Sequence, residues 1–407
     1  MWYVSTRGMA PRVNFEGALF SGYAPDGGLY MPEELPLLDR ETLHRWSTLS
    51  YPGLVKELCA LFIGSELIPR DDLDGLIDRA FSRFRHREVV PLSRLKNGLN
   101  VLELWHGVTY AFKDLSLSCT AQFLQYFLHR REKHVTIVVG TSGDTGSAAI
   151  QSVQGAKNMD IIVLLPKGHC SKIQELQMTT VLTDNVHVFG AGCIAQKMGL
   201  PIHLVVVVNC NDIIHRTVQQ GDFSLSEAVK PTLASAMDIQ VPYNMERIFW
   251  LLSDSNSQVT RTLMEQFERT QRLHLSKELH GKLSEAVTSE SVSDKTITQT
   301  MGRCWAENRY LLCPHSAVAV SYHYQQTDRQ RPSAPRCCLA PASAAKFPEA
   351  VLAAGLTPET PAEILALQHM ETRCTPMRRG EDWTLMLRDT IEGLSQRWRD
   401  LATHAVA

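Results

Sequence analysis

Two textures of hydrophobic spacing follow one another along the chain. Between Arg40 and Phe84 apolar residues recur at helical spacing, with Tyr51-Pro52-Gly53 and Ile68-Pro69 as punctuation. The first ninety or so residues therefore read as a module of helix and loop. From Leu99 onward short β-branched runs alternate with amphipathic stretches. Strands are predicted over Val135–Val139, Ile161–Leu165, Val186–Phe189 and Ile202–Val208, and helices over Ser147–Gly155, Ser171–Leu182 and Cys193–Met198. Strand and helix in repetition imply an α/β architecture with a parallel sheet covered on both faces. After Asn209 the pattern is mainly helical to His323, and Arg329–Pro335 reads as an exposed loop. Leu385, Leu387, Ile391, Leu394 and Trp398 place a terminal helix over Asp382–Leu401, docked on the body. The resulting division is 1–92, 93–375 and a helical tail over 376–407.

Composition narrows the function classes. The chain has 407 residues, 44% of them hydrophobic, enough for a sizeable core. Lys+Arg number 41 against 43 Asp+Glu, a net charge of -2, so no strong field is available to hold polyanions. Neither nucleic acid nor an acidic membrane is an expected partner. The apolar run Ile202–Val208 is far shorter than the ~18 residues of a membrane span, and Met1–Gly8 lacks the apolar region of a signal peptide. A cytoplasmic protein is the expectation. The ten cysteines form no Cys-x-x-Cys pair, and Cys59, Cys119, Cys193 and Cys210 lie in apolar surroundings, as free thiols do. No metal site is expected.

Two segments carry candidate chemistry. Gly140-Thr141-Ser142-Gly143-Asp144-Thr145-Gly146 joins a predicted strand to a predicted helix. Its glycines permit close backbone approach, and a helix start offers free N–H groups to a carboxylate or phosphate. The alternative is an ordinary tight turn in which Asp144 or Thr145 caps the helix. The spacing fits neither dinucleotide-binding nor P-loop patterns. The second segment is Trp105-His106-Gly107-Val108-Thr109-Tyr110-Ala111-Phe112-Lys113-Asp114. Lys113 stands in apolar and aromatic company, where a desolvated amine becomes nucleophilic, although an interface lysine reads the same way. His106 is either a proton carrier or a packing residue.

Taken together, these segments resemble the threonine synthase family, including its vertebrate threonine synthase-like members. Lys113 within His-Gly-x-Thr-x-Ala-Phe-Lys-Asp and the Thr-Ser-Gly-Asp-Thr-Gly loop carry the likeness. So do Ser5-Thr6-Arg7-Gly8, Asp26-Gly27-Gly28, Asn211-Asp212, Asn244, Arg247, Pro314-His315-Ser316 and Ala345-Lys346-Phe347, in the family's order. The resemblance implies a fold-type II pyridoxal phosphate enzyme, similar to the tryptophan synthase β subunit. It also implies a Schiff base on Lys113, with that lysine later moving the proton, and Asp144 and Ser343 on the cofactor side. Thr141, Ser142, Gly143, Asp144 and Thr145 would hold the substrate carboxylate. The implied reaction is phospho-lyase elimination from a small phosphorylated amino acid, O-phosphothreonine or O-phosphohomoserine, giving phosphate, ammonia and 2-oxobutyrate. A homodimer is implied by analogy. Asn211, Asn244, Arg247 and His315 stand open as substrate-side or structural positions.

The likeness is interrupted. The family carries an Asn-Ser-Ile-Asn motif and a glycine-rich phosphate loop where this chain passes from Val186-His187-Val188-Phe189-Gly190 to Ala191-Gly192-Cys193, a pattern of internal deletion near 190–192 that truncates the sheet. Gly190-Ala191-Gly192 is short for a phosphate cradle, and each lost charge-assisted bond costs about 1.5–3 kcal/mol. Pro341 stands where the family offers a threonine hydroxyl to the pyridine nitrogen, leaving Ser343 as the substitute. The alternative to the enzyme is therefore a shortened product without catalysis, acting as a secreted signalling protein on an unknown receptor.

Overall fold

Asp26 ties the start of the chain together. Its carboxylate accepts from Ser5 Oγ at 2.7 Å and from the backbone N–H groups of Met9, Ala10 and Gly28 at 2.8, 3.0 and 3.0 Å. A Cβ on Gly28 would lie 2.3 Å from Ser5 Oγ, so only glycine closes this turn. Strand β1 (Tyr3–Ser5) then pairs antiparallel with β2 (Tyr30–Pro32). The adjoining Arg7 is buried between Glu246 at 3.1 Å and Glu268 at 2.6 Å, fastening the segment to helices Met245–Leu252 and Ser257–Thr270. The computed structural model describes all residues except Ser142, Lys157, 166–170, 180–193, 330–334, Arg373 and 405–407, with side chains to residue 400.

The predicted helical module is present as helices Arg40–Trp46, Tyr51–Phe62 and Arg70–Phe81. Tyr51-Pro52-Gly53 starts a helix here. Ser50 accepts from Gly53 N–H, and proline is tolerated in a first turn, whose N–H groups have no partner in the helix. Ile63, Leu73, Ile77 and Phe81 of this module pack on Phe123 and Phe127 of helix Lys113–Arg130. The helix that begins at Lys113 is thus held by the first eighty residues.

The remaining strands are β3 (Leu92–Arg94), β4 (Leu99–Glu103), β5 (Val135–Gly140), β6 (Met159–Leu164), β7 (Leu204–Val208), β8 (Val287–Ser291) and β9 (Arg336–Ala340). β4 runs between antiparallel β3 and parallel β9, with Val101 opposite Cys338. β5–β6 and β7–β8 are separate parallel pairs among the described residues. The α/β reading holds, with the predicted sheet divided. β8 lies in the stretch expected to be helical: five residues directly after helix Lys277–Ala286 are too short to show their own period. The strand expected over Val186–Phe189 and the deletion placed near 190–192 lie outside the described residues, as does most of the expected 329–335 loop.

The largest core joins Leu99 and Val101 of β4 to Ile297, Met301, Ala317, Val320 and Val351. A second forms around Phe223, Ile248, Phe249, Leu283 and Val287. The terminal helix, Trp383–His404, touches the body where Trp398 lies 5.2 Å from the His134 ring. No helix among the described residues is long and apolar enough to cross a membrane, and no group of metal-ligating side chains occurs among them.

Candidate active site

Lys113 is presented by a closed turn. Asp114, buried, accepts from Thr109 N–H at 2.8 Å and from Thr109 Oγ1 at 2.9 Å. A Cβ on Gly107 would lie 2.2 Å from Asp114 Oδ2, so the glycine of this motif is a steric requirement. Burial pushes the Asp114 carboxyl up to about 6, against the pull of the Thr109 hydrogen bonds and the Lys346 charge. The far side of the turn is stitched to 341–343: Phe112 N–H donates to Pro341 O at 2.7 Å and Ser343 N–H to Tyr110 O at 3.0 Å. Tyr110 takes a left-handed backbone, φ +59°, as the chain reverses. Lys113 Nζ, half-buried, then donates to Thr145 Oγ1.

Thr145 belongs to the glycine- and hydroxyl-rich loop between β5 and helix Asp144–Val153. Thr141 Oγ1 accepts from Gly143 N–H at 3.0 Å, and Gly143 occupies the cap position with no side-chain cap bond. The cap position is Gly143, so neither Asp144 nor Thr145 caps the helix, and among the described residues no side chain makes a cap bond there. Gly146 gives close packing on the next helix, where a Cβ would lie 2.3 Å from Met178 Sδ.

The carboxylate of Asp144 turns instead to Lys346. Lys346 Nζ stands 2.6 Å from Asp144 Oδ1 and donates to Thr109 O at 2.7 Å, with the side chain fully buried. Gln174 Nε2 donates to the same Oδ1 at 2.8 Å. Burial alone would raise the Asp144 pKa, but the charges of Lys346 and then Lys113 outweigh it and hold the group below the usual carboxylate range. Nearby His315 is buried, accepts from Ala236 N–H at 3.1 Å through Nε2, and stays neutral, pushed down to about 4 by burial. The fields of Asp144 and Lys113 both reach it. Lys346 is the member that residue patterns alone did not single out; its signal was a lysine between Ala345 and Phe347 in an apolar run.

The other predicted residues divide. Ser343 is buried at the start of the short 3-10 turn Ala344–Lys346, where its Oγ accepts from Ala345 N–H at 3.3 Å. It lines a cleft of about 220 Å³ with Glu103, Trp105, Tyr310 and Cys313. Ser142 and Gly190-Ala191-Gly192 lie outside the described residues. His106 is bonded to Glu103 at 2.6 Å and stacked on Trp105 at 4.1 Å. Asn211 braces Lys230 and Asp238, and Asn244 accepts from Arg247 at 2.5 Å, both structural contacts. Lys113, Thr141, Gly143, Asp144 and Thr145 are thus brought together, with Ser343 across the turn.

Comparison with known proteins places this arrangement. The threonine synthase N-terminus family model matches residues 2–81, and the threonine synthase C-terminal model matches residues 316–387. Threonine synthase-like 2 from Homo sapiens is 72% identical, with 99% of each chain covered. That alignment spans 479 columns against 407 residues here, so at least 72 columns have no counterpart in this chain. The crystal structure of threonine synthase from yeast superposes with a TM-score of 0.88 at 30% identity, over 96% of this chain and 98% of that one. A pyridoxal phosphate-bound threonine synthase from Brucella melitensis gives 0.85 at 31% identity, over 93% and 96%.

Proposed function

The chain belongs to the threonine synthase family, with the fold-type II pyridoxal phosphate fold, and from that premise we propose that it is a pyridoxal phosphate-dependent phospho-lyase. Its substrates are O-phosphothreonine and O-phosphohomoserine. The products are phosphate, ammonia and 2-oxobutyrate. The observation that carries the reading is the placement of Lys113: a half-buried amine held on Thr145, at a helix start with no side-chain cap bond among the described residues, beside a buried Lys346–Asp144 pair.

These residues suit the aldehyde end of the cofactor. Lys113 would hold it covalently, the Thr141–Thr145 loop would flank it, and Ser343 would stand at the pyridine nitrogen. When bound, the cofactor supplies the electron sink for the carbanion left by removal of the substrate α-proton. With the cofactor bound, Lys113 Nζ would take the α-proton and later give a proton to the enamine carbon, and the Thr145 hydroxyl would fix its direction. The uncapped N–H groups at the start of helix Asp144–Val153 bind the substrate carboxylate. Neutral His315 adds no charge that would compete for it. Loss of phosphate from the β carbon of O-phosphothreonine needs only the α-proton removed, whereas loss from the γ carbon of O-phosphohomoserine needs a β-proton removed as well. The enamine left in either case takes up a proton to become the imine, which water hydrolyses to ammonia and 2-oxobutyrate.

Incubation of the purified chain with cofactor and either substrate should release phosphate and 2-oxobutyrate in equal amounts, and Lys113→Ala should abolish both. Threonine in place of 2-oxobutyrate would contradict the elimination. Absence of turnover by a chain that binds the cofactor would leave only a binding role.

A further inference from the structure

Two lysines converge on one buried carboxylate, and they do so unequally. Lys346 is fully buried, stands 2.6 Å from Asp144 Oδ1 and is fixed from behind by Thr109 O at 2.7 Å. Lys113 bonds the neighbouring side chain, the hydroxyl of Thr145. We propose that Lys346 is a positioning residue that compensates the charge of Asp144 and so favours the unprotonated form of Lys113.

The effect is electrostatic. A carboxylate beside an amine stabilises the ammonium and removes the nucleophile, whereas a second cation does the opposite. Asp144 without Lys346 would be a buried anion one residue from Thr145 that keeps its Gln174 hydrogen bond but loses the cation in contact with it, and Lys113 would be drawn to it as an ammonium. Among the described residues, the charged and titratable groups around the two lysines come from four elements: Asp114 beside Lys113 in its own helix, Asp144 across the loop, His315 from helix Pro314–Asp328, and Lys346 from the 3-10 turn. Asp114 spends both oxygens on Thr109, and His315 is neutral. Among the described residues Lys346 is thus the cation in contact with Asp144, whose carboxylate also feels the charge of Lys113. Thr109 links the halves, since it bonds Asp114 through its N–H and hydroxyl and Lys346 through its carbonyl, so the turn presenting Lys113 and the ion pair are set by one residue. This assignment rests on the reading of Lys113 as the reactive amine and says how that amine is kept unprotonated.

The test needs no cofactor. The purified chain is labelled with acetic anhydride, which acylates a neutral lysine amine and not the ammonium, across a pH series, and the Lys113 peptide is quantified by mass spectrometry. In the wild type the labelling midpoint should fall below the ~10.4 of an ordinary lysine. In Lys346→Met and in Lys346→Gln it should rise by about one pH unit or more, a tenfold loss of free amine at neutral pH. Lys346→Arg, which keeps the charge, should stay near the wild type. An unmoved midpoint in a folded neutral variant would overturn the proposal. If neither neutral variant folds, a wild-type midpoint at or above the ordinary value would overturn it alone. Because turnover is not read, a chain with the predicted midpoints and no phospho-lyase activity would refute the proposed function and leave this assignment standing.

Discussion

The parallel pairs β5–β6 and β7–β8 are made of similar local material and end in different surroundings. Val-Thr-Ile-Val-Val in β5 and Leu-Val-Val-Val-Val in β7 are equally strand-prone. Val287 of β8 is fully buried in a cluster with Ile213, Ile248, Phe249 and Leu283. Across β5–β6 only Met159 is buried, and Val138 is 41% exposed. Local pattern makes a strand, but long-range cover decides how firmly it is held. The candidate site spans this difference. Asp144 and Thr145 hang from the end of β5, whereas Lys346 and His315 come from elements packed on the larger cores.

The comparison breaks if truncating a side chain in the core beside β8 costs no more per carbon removed than truncating one on β5. Phe249→Ala, deleting a fully buried ring packed edge-on against Phe223 at 5.3 Å, should cost about 3–5 kcal/mol in urea unfolding. Val138→Ala should cost less than about 1 kcal/mol, since much of that side chain already meets water. Between them stands Gly107→Ala. Its Cβ would collide with Asp114, so the turn around Lys113 must shift, at about 1–3 kcal/mol, with weaker cofactor binding as the readout that separates local from global damage.

Acid response sharpens the site half of the comparison. Asp114 is raised to about 6 by burial, so the folded state holds its proton more tightly than the unfolded chain, and its contribution to stability is lost as pH rises through about 6. His315 is lowered to about 4, so its contribution is present above its ordinary value and is lost as pH falls towards 4. The two oppose each other between about 4 and 6. Asp114→Asn should therefore tilt the stability profile in that window, so that it rises more steeply with pH than in the wild type, as followed by urea midpoints. The smallest effect belongs to the tail: Trp398→Ala removes its contact with His134 and should change stability by under about 1 kcal/mol.

Much of this was legible in the sequence for definite reasons. The helices of the opening module follow from their apolar spacing, and Lys113 and the Thr141–Thr145 loop stand out because lysine in aromatic company and glycines before a helix are both unusual. The pairing of Asp144 with Lys346 was not legible, because residues two hundred positions apart meet only after β4 and β9 have paired and carried 341–346 against 109–112. Nor was β8, whose five residues are shorter than the window in which a period can be read. The capping reading of Asp144 failed for the same long-range reason: a buried ion pair outcompetes a local cap.

The central claim is that the aldehyde end of a pyridoxal phosphate site is intact in this chain, and a spectrum tests it most directly. Titration of the purified chain with pyridoxal phosphate should produce a saturable visible absorbance band that is absent in Lys113→Ala. A chain that shows no Lys113-dependent band at saturating cofactor would contradict the account.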